Sequence, residues 1–150
     1  MIRNRVATSP FNDEKTAKKT TTRFTRGAWL IAALKILSTE GNSSLRIAKI
    51  SSDLNVSKGS FYWHFKDRED FLHAIVAYWS EEYTERVKSE VQATRGTARE
   101  QLRHVIETVT RDNLSNYDVA FDGWASHEPA VAKNVRKIYQ VRWRYIRSLF

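Results

Sequence analysis

The stretch Asn55–Asp67, NVSKGSFYWHFKD, restricts the possible folds of this chain more than any other. Before it, Ile47, Ile50 and Leu54 recur at helical spacing, and after it a long periodic run opens at Asp67. Between them lie a polar entrance (Ser57, Lys58, Gly59, Ser60) and an aromatic exit (Phe61, Tyr62, Trp63, His64, Phe65). A helix, a tight turn and a second short helix make the layout of a helix-turn-helix. The residue types suit contact with DNA. Small residues admit a close backbone, and hydroxyl, imidazole and ammonium groups bond to phosphate oxygens. Burial in a helical core accounts for Phe61 and Phe65, four apart on one face. It does not account for Tyr62, His64 and Lys66, which alternate with them.

The segment SKGSFYWHFKDRED resembles the recognition helix and following helix entry of the tetracycline-repressor-like (TetR) family of transcriptional regulators. The resemblance rests on the pattern aromatic-Tyr-x-His-Phe-Lys, with Val-Ser before it and a charged helix start after it. Upstream, ALKILSTEG resembles the family's first helix, and FDGWASHEPAVAKNVRKIYQVRWRYIRSLF resembles, more loosely, its regulatory half. The resemblance implies an all-α fold. A three-helix helix-turn-helix DNA-binding domain would occupy residues 25–66, and a helical ligand-binding and dimerisation region residues 67–150. The implied function is sequence-specific DNA binding in transcriptional control, as a repressor released from its operator by a small-molecule ligand. The implied partners are a palindromic double-stranded operator, a small-molecule effector and a second copy of the chain. Lys58, Tyr62, His64 and Lys66 would carry phosphate contacts. Ser57, Gly59, Ser60 and Trp63 would face the groove, with Arg46 near its rim.

Three departures from the family pattern stand out. Asn55 falls where glycine is usual, and Asn tolerates the left-handed conformation better than most residues. Arg46 falls near a usual Thr; it would contact a phosphate or reach a base edge. The sequence stops at Phe150 inside a helical pattern, short of the two further helices with which relatives pair, so either the region after residue 67 is incomplete at its C-terminus or pairing uses the last helix present.

The charge distribution agrees with a DNA-binding end. The net charge of +8 lies wholly in residues 1–66, because residues 67–150 carry thirteen basic and thirteen acidic side chains. A basic patch confined to one end is the electrostatic footprint of a nucleic-acid binder. Residues 1–24 lack periodicity and read as a flexible basic arm, too polar to fold alone. That arm would either follow the DNA or take no part in binding.

Helix signals are plain along the rest. Thr25 is placed to cap a helix running to about Glu40, with Leu30, Ala33, Leu34 and Leu37 as its buried face, Trp29 and Lys35 on other faces, and Gly41 as a left-handed C-cap. Ser44 is placed to cap a second helix, 45–54. Asp67 caps a long helix striped by Leu72, Ile75, Val76, Trp79, Tyr83 and Val87, with Glu69 and Asp70 complementing its dipole. After Gly96, Leu102, Val105, Ile106 and Val109 define another helix. A short segment, 118–127, carries Phe121 and Trp124. Pro129 opens a final helix lined by Val131, Val135, Ile138, Tyr145 and Leu149. Its Lys133, Arg136, Lys137, Arg142, Arg144 and Arg147 read as a solvated face.

Other chemistries find little support. No cysteine occurs, which excludes disulfides and thiolate metal sites and suits a cytoplasmic protein. The four histidines lack metal-ligand spacing, and no cofactor motif or nucleophile elbow occurs. Glu81, Glu82 and Glu85 beside Arg86 and Lys88 read as an ion-paired face rather than an acid-base pair, so the chain is not expected to be an enzyme. No apolar run approaches a membrane span or a signal peptide. Trp79, Tyr83, His104, Tyr117, Phe121, Trp124, His127 and Trp143 are either core or, where they converge, the lining of an effector pocket. A helical ligand-binding or protein-interaction module without specific DNA binding is the alternative reading.

Overall fold

The computed structural model describes residues 25–150, so the expected basic arm at 1–24 lies outside the described residues. The order is α1 (Arg26–Glu40), a 3₁₀ turn (Asn42–Ser44), α2 (Ile47–Leu54), a 3₁₀ segment (Lys58–Trp63) and α3 (Arg68–Ser80). A π-helical segment (Glu81–Glu85) then leads directly into α4 (Arg86–Ala93), followed by α5 (Ala98–Arg111), α6 (Leu114–Ala125) and α7 (Pro129–Ser148). Among the described residues all regular structure is helical, as the sequence leads one to expect.

Helix α1 starts on Thr25, whose hydroxyl accepts the Ala28 N–H at 3.2 Å and so satisfies one orphan donor of the first turn. It stops at Gly41, whose φ of 81° suits glycine; ψ is 175°, extended rather than left-handed helical. Trp29 departs from the expected stripe. It is completely buried along with Leu30, Ala33, Leu34, Ile36 and Leu37. The reason is tertiary. Helix α1 packs on α2, α3 and α6 together, so it loses water on most sides.

Helix α2 begins at Ile47, two residues later than expected. The Ser44 and Leu45 N–H groups are taken by Gly41 and Asn42 carbonyls at 3.3 and 3.1 Å, leaving Arg46 in the cap position without a side-chain cap bond. Asn55 then turns the chain with φ 56° and ψ 48°, and the Val56 N–H closes on the Ser51 carbonyl at 2.9 Å. This is the left-handed termination a helix needs before a sharp turn.

The long helix carries a change of register. Its fully covered positions run Trp79, Thr84, Val87, Val91, so the first step is five residues rather than four. A π turn inserts one extra residue, which rotates the following face. Thr84 therefore takes the buried place expected for Tyr83, and Tyr83 is only half covered. Ile106 of α5 is also exposed, because α5 rests on α4 and α6 and leaves its far side to solvent.

One core joins α1, the 3₁₀ segment, α3, α6 and α7, and a smaller cluster gathers Val87, Val91 and Leu114. Arg142 of α7 is not part of a solvated face. Its Nη1 donates to Asp118 at 2.7 Å, its Nε to the Thr84 hydroxyl at 2.8 Å, and its guanidinium lies 4.7 Å from the Trp79 ring centroid.

Candidate nucleic-acid interface and regulatory cavity

Two turns of 3₁₀ helix cannot sustain themselves in water, so the Lys58–Trp63 segment depends on side chains for its position. Phe61 and Phe65 supply it. Phe61 meets Trp29, Phe65 and Phe71 at centroid distances of 5.5, 5.1 and 5.2 Å, and Phe65 meets Phe71 at 4.7 Å. Ring pairs of this kind add about 0.5–1.5 kcal/mol each beyond the area they bury. The exit is closed by Asp67, whose carboxylate accepts the Asp70 N–H at 2.8 Å, while Asp70 accepts the Lys66 N–H at 3.0 Å. The segment is thus clamped to α1 on one side and α3 on the other.

The opposite face is left to solvent. Ser57, Lys58, Gly59, Tyr62, Trp63 and Lys66 are exposed, Ser60 and His64 are half covered, and Arg46 is exposed at the head of α2. Trp63 retains 88% of its surface and Tyr62 66%. A ring so bare contributes little to the fold, and exposed large apolar groups in a polar setting mark contact sites. Gly59 leads to the same conclusion. A Cβ there would meet only the Ser57 hydroxyl at 3.7 Å, and its φ is not positive, so folding does not demand glycine. Arg46, Lys58 and Lys66 form no ion pair among the described residues. Their charges are free for an anionic partner.

Sequence reasoning missed Arg26, whose guanidinium stands 4.9 Å from the Phe65 ring centroid. The available signal was its place in the first turn of α1, where the helix dipole disfavours a cation and some other contact must hold it.

The aromatic groups of the second half separate into three sets. Trp79, Phe121 and Trp124 come together as packed core, with Trp79 stacked on Phe121 at 3.9 Å and Trp124 5.7 Å from Phe121. Tyr83 and Tyr117 pair at 4.7 Å, and burial beside Tyr117 pushes the Tyr83 phenol well above its ordinary value. His104 is half covered on α5, whereas His127 and Trp143 are exposed. A cavity of about 220 Å³ opens beside these groups, framed by Tyr83, Thr84, Val87, Val109, Arg142 and Tyr145. Of the eight residues singled out, Tyr83 alone is in its wall. An open groove of about 660 Å³ runs between α3 and α7 past His73, Lys133 and Lys137. Among the described residues no group of His, Asp and Glu side chains is arranged to hold a metal, and no helix is long and apolar enough to cross a membrane.

A helix, a left-handed turn and a short outward-facing segment pegged by aromatic rings define a helix-turn-helix domain with a helical region behind it. Residues 30–75 match the model of the bacterial regulatory proteins of the tetR family. The chain is 36% identical to the HTH-type transcriptional regulator AcrR of Shigella flexneri over 96 residues, which are 59% of this chain and 43% of that protein. It is 28% identical to the fatty acid metabolism regulator protein of Bacillus subtilis (strain 168) over 75 residues, 50% of this chain and 38% of that protein. The chain spans less than half the length of these curated relatives. No solved structure matches it.

Proposed function

We propose that this protein is a sequence-specific DNA-binding regulator of transcription, acting as a repressor that leaves its operator when a small molecule binds. The observation that carries the reading is the two-faced 3₁₀ segment. Phe61 and Phe65 are spent on anchoring, while Trp63, Tyr62, Lys58 and Lys66 stay bare beside an uncrowded Gly59. Bare cations give salt-dependent phosphate binding, and small residues admit the backbone to the groove. One such segment covers only a few base pairs, so useful specificity calls for two copies on a palindromic operator, one helical turn apart. Both relatives are regulators, which agrees with this assignment. The reading includes no catalytic role.

The test is footprinting of the whole chain on the DNA flanking its own gene, repeated over a range of salt concentrations. A protected, symmetric site whose affinity falls steeply with salt is the expected result. Equal affinity for all DNA sequences, or no affinity at low salt, overturns the reading.

A further inference from the structure

Resting on the reading of this protein as a ligand-controlled regulator, we propose that the 220 Å³ cavity takes a neutral, mostly apolar ring compound carrying one hydrogen-bonding group, received by the Tyr145 hydroxyl. Three observations determine the class. The first is size. A cavity of about 150 Å³ holds benzene, so this one has room for a ring with a short substituent, about nine non-hydrogen atoms.

The second is charge. The cations in the wall already have partners: Lys88 pairs with Glu85 at 2.8 Å and Arg142 with Asp118 at 2.7 Å. A carboxylate entering the site competes with Asp118 for Arg142, and an ammonium competes with Arg142 for Asp118. Either leaves a half-buried charge poorly compensated. Val87, Val105, Val109 and Leu114 supply the rest of the wall and reward apolar surface.

The third is an unpaired group. The Tyr145 hydroxyl is shielded from solvent and has no hydrogen-bond partner among the described residues. A buried hydroxyl left unpaired is costly, and a ligand that donates to it or accepts from it removes that cost. Tyr83 and Thr84 belong to the π segment, so the ligand rests against the helix that begins at the DNA-facing end. Such inserted turns are frequent at functional sites.

The experiment is calorimetric titration of the whole chain with 4-ethylphenol, ethylbenzene and benzoate. The phenol is expected to bind most tightly and the carboxylate most weakly. Tyr145→Phe is expected to weaken 4-ethylphenol about fivefold, as one neutral hydrogen bond does, and to leave ethylbenzene no weaker. Val109→Trp, which fills the cavity, should abolish both. If that variant does not fold, the Tyr145→Phe comparison decides alone. The inference is overturned if neither neutral compound binds, if the carboxylate binds as tightly as the phenol, or if Tyr145→Phe treats phenol and hydrocarbon alike. Operator binding is measured on the same preparation without any compound. Its absence overturns the regulator reading while phenol binding still supports the ligand class; intact operator binding with no uptake of either neutral compound overturns the ligand class alone.

Discussion

Phe61 and Trp29 meet edge to face, ring centroids 5.5 Å apart and planes at 72°, and neither ring has any surface open to solvent. This contact joins the short 3₁₀ segment to α1. It separates two kinds of aromatic side chain in one six-residue stretch. Phe61→Ala is expected to lower stability by about 3–5 kcal/mol, the usual cost of emptying a buried ring site. Trp63→Ala is expected to change stability by no more than about 0.5 kcal/mol, as an exposed substitution does. Urea unfolding of both variants gives the comparison, and a large loss for Trp63→Ala would show that its exposure misrepresents its role.

Lys66 is exposed at the exit of the segment and forms no ion pair among the described residues. Lys66→Ala is expected to weaken DNA binding similarly on all sequences and to reduce the log–log salt slope by roughly one. An unchanged slope removes Lys66 from the phosphate contacts.

Gly59 has room for a side chain. Gly59→Leu is therefore expected to keep its helical signal and unfolding midpoint while weakening operator binding by at least about tenfold, or 1.4 kcal/mol. Circular dichroism and a gel shift on one sample check both halves. Retained affinity would mean that the backbone does not come close to DNA there.

In the sequence Trp79 and Trp124 read as either core or the lining of an effector pocket. Trp79 is sealed between Phe121, at 3.9 Å, and the Arg142 guanidinium, at 4.7 Å. Trp79→Ala is expected to cost about 3–5 kcal/mol in denaturant melts. Tyr145→Phe keeps the ring and removes only an unpaired hydroxyl, which makes it the better reporter.

Acid should loosen the region around Asp112. The hydrogen bond from Arg111 at 2.9 Å, helped by Arg86 at 3.4 Å, holds the Asp112 carboxyl below its ordinary range. A carboxyl depressed in the folded state stabilises that state above its unfolded value, near pH 3.9, and loses the contribution as pH falls through the folded value. Glu100 shifts the same way because it accepts the Thr97 N–H and hydroxyl. Stability should thus decline as pH drops below about 4, and Asp112→Asn should flatten part of that decline. Urea midpoints at pH 7 and pH 3 for both proteins supply the test.

The caps at Thr25 and Asp67, the left-handed turn at Asn55 and the burial of Phe61 and Phe65 are legible in the sequence. Each depends on backbone groups three or four residues away or on one helical face. The same local logic makes the bare residues of the 3₁₀ segment readable as candidates. Trp29, Thr84 and Arg142 are different. Trp29 is buried because α1 is packed against several elements at once and Phe61 of the 3₁₀ segment closes on its ring. Thr84 replaces Tyr83 because one π turn shifts the stripe, and no periodic pattern marks an inserted residue. Arg142 finds Thr84 across 58 residues of chain and Asp118 across 24, so a basic run in the sequence conceals a half-buried ion pair. Side chains shape themselves to whichever surfaces the packed helices bring together, and the cavity beside Tyr145 exists only where five elements meet. Local residue order determined the caps, the turn and the inner face of the 3₁₀ segment; only the packing of distant helices decided where the cavity lies and which charges are neutralised around it.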